Sequence, residues 1–191
     1  AIIEILFESK LNLTDVKAIA VTSGPGSYTG LRVGFSSAKG LCYALQIPLI
    51  AISTTEVMSA AALQLINQLT EKPATFFLCP MIDARRMEVY TTLYDADFNI
   101  VEPARALVVE ETSYEAYFKA GKTIIFCGNG ASKCVDLFKF PSAIFSPVYC
   151  SAANLVGLSA MALLVKDFVD PAFFSPNYIK PPNITASKGN F

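Results

Sequence analysis

The stretch that most constrains the fold is residues 17–52. A short apolar run at 17–22 ends in Ser23-Gly24-Pro25-Gly26-Ser27, a sharp turn. A helical pattern follows over 28–45, and a second apolar run over 47–52. Short buried strands flanking a long helix specify an α/β layer. Ser27 is placed to cap the helix, because a serine hydroxyl can accept from the free N–H groups of a first turn. Ser53-Thr54-Thr55-Glu56 has the spacing of a capping box. The helix it would open carries Val57, Ala60, Ala61, Leu65 and Leu69 on one side.

Glu71-Lys72-Pro73 breaks this pattern. Strand-like runs at 75–82, 88–94 and 100–109 then follow closely, with Asp95-Ala96-Asp97 and Asn99 as turn chemistry between the last two. They predict an antiparallel meander. Pro80 lacks a ladder donor and predicts an edge strand or a bulge. The remaining pattern predicts a helix at 113–120, a strand at 123–127, a turn at Gly128-Asn129-Gly130, a short helix at 132–138, a strand at 143–145 and a helix at 152–168. The tail, 171–191, holds Pro171, Pro176, Pro181 and Pro182 and reads as an extended or partly disordered arm. A composition shift near 55–72 divides the chain into a first lobe, 1–55, and a second lobe with the arm, 56–191.

Composition bounds the function. Of 191 residues, 53% are hydrophobic and only 16% charged, with mean hydropathy +0.45; an ordinary domain is about 25% charged. A membrane span would explain this. However, the longest apolar stretches are interrupted by Gln46 and Pro48, or by Asn154 and Gly157, and neither reaches the ~18 residues a span needs. The excess is better read as surface that meets a partner. Lys plus Arg is 15 and Asp plus Glu 16, and the densest basic pair is Arg85-Arg86. Strong autonomous binding to nucleic acid is disfavoured, since that affinity needs clustered cations. Histidine is absent, which removes Ser-His and Cys-His nucleophiles and histidine-based zinc sites among these residues. Cys42, Cys79, Cys127, Cys134 and Cys150 are scattered, odd in number and free of Cys-x-x-Cys spacing, as reduced thiols in the cytoplasm would be. The chain opens Ala-Ile-Ile inside an amphipathic helix over 2–9, so an earlier segment is expected.

Gly24-Pro25-Gly26-Ser27-Tyr28-Thr29-Gly30-Leu31-Arg32-Val33-Gly34 carries the most information. At a strand-to-helix junction, Gly24, Gly26 and Ser27 could face an anion with free N–H groups and the helix dipole. The same glycines could equally serve a tight turn with close helix packing, and no Lys follows as in phosphate loops. Gly26, Gly30, Gly34 and Ala38 recur every four residues, with Cys42 continuing the row, so they share one helix face. Leu31 and Phe35 adjoin it, and Arg32 and Lys39 are the helix's only charges. A helix this apolar all round is either central or pairs with another subunit. The second reading makes Gly30, Leu31, Gly34, Phe35, Ala38, Lys39 and Cys42, with Ile3 and Phe7 of the first helix, the expected partner interface. Asp83-Ala84-Arg85-Arg86 ends an apolar strand. It is either a ligand-facing constellation through Asp83 and Arg85 or a turn ion pair. Gly128 and Gly130 are either an anion cradle or ordinary turn chemistry.

The glycine motif, with Ala38-Lys39-Gly40-Leu41, Ile47-Pro48 and Ile52-Ser53-Thr54, resembles the TsaB (YeaZ) family. Ile82-Asp83-Ala84-Arg85-Arg86-x-Glu88-Val89-Tyr90, Gly128-Asn129-Gly130-Ala131 and Pro176-Asn177-Tyr178-Ile179-Lys180 match it in order along nearly the whole chain. The resemblance implies the two-lobed sugar-kinase, Hsp70 and actin fold (ribonuclease H-like), with an earlier strand ending in Asp-Thr-Ser. It implies a non-catalytic scaffold in making threonylcarbamoyladenosine beside the anticodon of tRNAs reading codons that begin with A. The implied partners are the catalytic paralogue TsaD, the ATPase TsaE, a second copy in isolation, and tRNA through the complex, with no membrane. ATP or ADP would belong to the cleft or the complex. An ATP-dependent phosphotransferase of the same fold is the alternative. The family's glycoprotease label rests on a His-x-x-x-His metal site in the paralogue, so neither metal nor protease activity carries over. Met87 stands where the family has Gly, and Ile179-Lys180 where it has Leu-Arg.

Overall fold

The computed structural model describes residues 2–71, 73 and 75–181. Lys72 of the expected break and residues 182–191 of the expected arm, Pro182 included, lie outside the described residues.

Helix α1 (Ile2–Glu8) leads to strand β1 (Ile19–Thr22), helix α2 (Tyr28–Leu45) and strand β2 (Leu49–Ile52). β1 and β2 pair in parallel, Ile19 opposite Leu49 and Thr22 opposite Ile52, so α2 is the crossover between them. Helix α3 (Thr54–Asn67) then carries the chain to a second sheet. There β3 (Phe76–Asp83), β4 (Glu88–Asp95) and β5 (Ile100–Val108) form the predicted antiparallel meander. After the short helix α4 (Glu115–Lys119), β6 (Thr123–Cys127) and β7 (Ala143–Phe145) add in parallel, giving the order β5-β4-β3-β6-β7. Helix α5 (Val156–Val165) returns to the first sheet.

Both sheets are covered on two faces. Phe35, Ala38 and Cys42 of α2 pack on Leu49, while Leu158 and Ala162 of α5 pack against Ile50 and Ile52 from the other side. A parallel strand covered on both faces needs no polar alternation, which is why Leu49-Ile50-Ala51-Ile52 reads as a continuous apolar run. In the second sheet the period of two sorts side chains between two cores. Leu78, Ile82, Ile125 and Cys127 meet Met58, Ala62 and Ile66 of α3. Cys79, Met81, Ile124 and Phe126 meet Tyr114, Phe118 and Phe138. Phe126 and Phe138 stack at 4.9 Å, and Phe118 and Phe140 at 4.4 Å.

Several sequence expectations are corrected. Pro80 lies in β3, the middle strand of its sheet, opposite Cys127 of β6, with a regular register to β4 on either side. It is not at an edge; the ladder to β4 skips Cys79 and Pro80, and β4 is irregular opposite them, between Thr91 and Leu93. The expected helix at 113–120 shortens to α4, and that at 132–138 is a 3-10 turn over Ala131–Cys134. The last helix divides into a 3-10 turn, Ala152–Leu155, and α5, which stops where Lys166 turns left-handed at φ 60°. Ser27 caps α2 as predicted, its Oγ accepting from the Gly30 N–H at 3.3 Å. Ser53 starts α3, but its hydroxyl makes no cap bond. It turns instead toward Gly24 O and the Thr55 hydroxyl, 2.9 Å away, which continues to Tyr94 OH at 3.1 Å. This hydroxyl chain ties the glycine loop to the second sheet.

The described part of the tail is docked, not free. Val169 bridges to Leu49, Phe174 stacks on Phe35 at 5.7 Å, and Tyr178 lies 4.7 Å from the Tyr28 ring. The Asn177 N–H donates to Ser23 O at 2.7 Å. The prolines keep the segment irregular, and side-chain anchors on either side of Pro176 give it a fixed course. Among the described residues no helix is long and apolar enough to cross a membrane.

Candidate functional site

The apolar excess has a location. α1 buries none of its residues; Ile3 is 79% and Phe7 84% exposed. On α2 the large exposed apolar side chains are Val33, at 62%, and Tyr43, at 80%. The glycine row faces elsewhere. Leu31, Phe35, Ala38 and Cys42 are all buried, and a Cβ on Gly34 would rest 3.9 Å from Val21 of β1. Four expected interface residues, Gly34, Phe35, Ala38 and Cys42, are therefore corrected to the contact between α2 and its own sheet, and Leu31 to the glycine loop at Gly24 and Gly26. A row without bulk lets the helix sit close on β1, and the tail covers Phe35 from outside. Gly30 is exposed and Lys39 half-buried. The outward face runs through Val33 and Tyr43 instead.

The glycine loops are structural. Gly24 is buried at φ 104°, and a Cβ there would stand 2.6 Å from Asn177 O. Its own carbonyl accepts from the Thr54 N–H at 2.9 Å. Gly128 and Gly130 are buried too, and their N–H groups donate to Val148 O at 2.7 Å and Met81 O at 2.9 Å. The Gly128 and Gly130 N–H groups are spent within the chain and Gly24 is buried against Asn177 O, so the three are corrected from anion-facing to turn positions. Gly26 and Ser27 border a cavity of ≈ 190 Å³ together with Val21, Gly34 and Thr54. No charged side chain lines it. Burial also silences the thiols: Cys79 is pushed up to about 12, and Cys42 and Cys127 are raised by the same cause. No group of three or more metal-ligating side chains occurs among the described residues.

Asp83 is half-exposed at the end of β3, and its partner is neither arginine side chain. Lys133 Nζ donates to Asp83 Oδ1 at 2.6 Å, to Arg86 O at 2.7 Å and to Glu88 O at 2.6 Å. The Asp83 N–H donates to Asn129 Oδ1 at 3.0 Å, and the Arg85 N–H to Asp83 Oδ1 at 2.8 Å. The sequence names Asp83, Arg85 and, as part of a separate turn, Asn129, but not Lys133 or the meeting of the two segments. The only signal for Lys133 was its place in the Gly128–Lys133 segment, fifty residues downstream. Lys133, then the Arg85 N–H, holds the Asp83 carboxyl below the usual range against a smaller effect of burial. A depressed folded pKa adds stability above the unfolded value near ~3.9, and that stability disappears as pH falls through the folded value. Asp83→Asn should therefore melt below the parent at neutral pH, with the gap closing below about pH 4. Thermal melts across that range check this; a gap independent of pH would refute it.

The comparisons with known proteins agree with this layout. The family described as "TsaD: tRNA N6-adenosine threonylcarbamoyltransferase" matches residues 1–166. The chain belongs to the TsaD family, on its TsaB (YeaZ) branch. The "tRNA threonylcarbamoyladenosine biosynthesis protein TsaB" of Escherichia coli is 34% identical over 139 residues, 71% of this chain and 57% of that protein. The Haemophilus influenzae protein of the same description is 44% identical over 87 residues, 46% of this chain and 34% of that protein. The chain thus spans between a third and three fifths of these relatives' lengths. The structure described as "YeaZ from Pseudomonas aeruginosa" superposes with a TM-score of 0.72 at 23% identity, covering 93% of this chain and 81% of that one. The family resemblance and the actin-like, ribonuclease H-like fold expected from sequence both stand.

Proposed function

We propose that this TsaB-branch chain is a non-catalytic partner subunit in threonylcarbamoyl transfer to tRNA, working by pairing with a TsaD-like catalytic subunit. The observation that carries this reading is the outward apolar surface of α1 and α2. Ile3, Phe7, Val33 and Tyr43 stay exposed while Phe35, Ala38 and Cys42 of α2 are taken up by its own sheet. Exposed aromatic and branched side chains on helices are anchors for a partner helix. The relatives' names supply the reaction, and the absence of histidine fits a subunit without the paralogue's metal chemistry. In the same proposal, a TsaE-like ATPase joins the pair, two copies associate through the same helices when the partner is absent, and the protein acts in the cytoplasm. The lobes divide near residue 55, between the two sheets.

Reconstitution tests it. TsaD-like, TsaE-like and adenylate-forming proteins, with substrate tRNA, should form threonylcarbamoyladenosine at least about tenfold faster when this chain is added, the scale of one lost essential interface anchor. Equal rates without the chain would overturn the proposal. So would magnesium-dependent ATP turnover by the full chain alone, which would mark a phosphotransferase.

A further inference from the structure

We propose that the tip of the β3–β4 hairpin is a contact for the phosphodiester backbone of RNA, made by Arg85 and Arg86. The RNA in question rests on the proposed role in tRNA modification; the cationic tip does not.

The first observation is charge pairing. Both carboxylates at the base of the hairpin have their own lysine: Asp83 is bound by Lys133, and Glu88 by Lys180. Both arginine side chains are exposed, and among the described residues neither has a hydrogen-bonding or ion-pair partner. The Arg85 backbone N–H donates to Asp83, but the Arg85 guanidinium's charge is the smallest of the influences on that carboxylate. Of the two alternatives read from sequence, a turn ion pair of Asp83 with these arginine side chains is not formed, and both guanidiniums are without an ion-pair partner in a chain of net charge −1.

The second observation is the backbone. Arg85 and Arg86 have φ 71° and 47°, successive left-handed positions that tight hairpins normally fill with Asn and Gly. The turn's own chemistry does not ask for arginine there. Sparsely populated conformations persist where surrounding structure holds them, and they gather at functional positions. Here the restraint comes from a distant segment. Lys133 clamps the carbonyls of Arg86 and Glu88, while the Ala84 N–H to Glu88 O and Glu88 N–H to Arg85 O bonds, both 3.1 Å, close the loop. The Lys133 ammonium is consumed in fixing the turn, so the two arginines project from an ordered base.

A guanidinium is a planar fork that binds phosphate through two parallel N–H groups. Two forks side by side on an open, solvent-exposed tip do not enclose a free anion, but they can lie along a chain of phosphates. Two contacts are too few for strong autonomous binding, in keeping with the chain's composition. They would orient an RNA already held by a larger complex.

The test measures binding of a tRNA transcript by anisotropy across salt concentration, using the full chain assembled with its TsaD-like partner and the full chain alone. Arg85→Ala/Arg86→Ala should weaken binding about tenfold and lower the slope of log affinity against log salt by about 1.4–1.8, near 0.7–0.9 for each phosphate contact. Arg85→Lys/Arg86→Lys should keep the slope, and melting curves should coincide with the parent. Unchanged affinity and slope in the alanine variant would overturn the proposal. Loss of ATP binding with RNA binding intact would overturn the RNA assignment. Size-exclusion chromatography reports separately whether the pair forms. If it does not, the partner-subunit reading fails, and the arginine contact is still decided on the chain alone.

Discussion

Gly128→Ala is expected to cost about 3–5 kcal/mol, a large part of the ~5–15 kcal/mol by which a domain is stable. Two faults coincide at this position. The backbone sits at φ 94°, where a Cβ is strained. A Cβ would also stand 2.4 Å from Met81 O and 2.0 Å from Met58 Cε. The methionine methyl can swing aside. The Met81 carbonyl cannot, because Met81 lies in the central strand β3 and its oxygen already accepts from the Gly130 N–H at 2.9 Å. Gly121→Ala is the control. Its φ is 70°, but nothing lies within 4 Å of the added carbon, so only the backbone term of about 1 kcal/mol remains. Urea unfolding with an unchanged slope should place the two midpoints well apart. Midpoints that coincide would show that β3 and the loop after β6 yield, and that Gly128 is not a packing requirement.

The same glycine shows what sequence conveys and what it withholds. That Gly128-Asn129-Gly130 is a turn was legible, since a strand ends there. That both flanking N–H groups are spent on Met81 and Val148 was not, because those acceptors come from remote segments. The four-residue row in α2 was likewise legible as one face. Spacing cannot say whether such a face meets a sheet of its own chain or another subunit, and only the packing of Phe35, Ala38 and Cys42 on Leu49 decides it. Pro80 signals an edge or a bulge because one missing ladder donor is cheapest there; β3 keeps the proline in mid-sheet, paired with Cys127 of β6, while the ladder to β4 skips Cys79 and Pro80 and resumes on either side. The tail was read from its prolines, while its course is set by Phe174, Asn177 and Tyr178 meeting Phe35, Ser23 and Tyr28. Local patterns that need one segment were readable, as with the Ser27 cap and the meander. Those that need two distant segments to meet were not.

Phe7→Glu and Tyr43→Glu should each weaken pairing with the TsaD-like subunit by at least about 30-fold, the equivalent of ~2 kcal/mol for a well-packed aromatic anchor. In the free chain both rings are more than four-fifths, or four-fifths, exposed, so the substitutions touch almost no internal contact. Melting should shift little, within the ~0.5 kcal/mol typical of surface changes. Phe35→Ala is the opposite case. That ring is 2% exposed and stacked on Phe174, so truncation should cost about 3–5 kcal/mol of stability. Any loss of pairing there would follow the unfolded fraction. Measuring both melting and partner affinity separates an inward face from an outward one on the same helix. The outward assignment fails if Phe7→Glu and Tyr43→Glu leave partner affinity within twofold of the parent. It also fails if affinity falls only as far as stability does, because the rings would then be supporting the fold and not the partner.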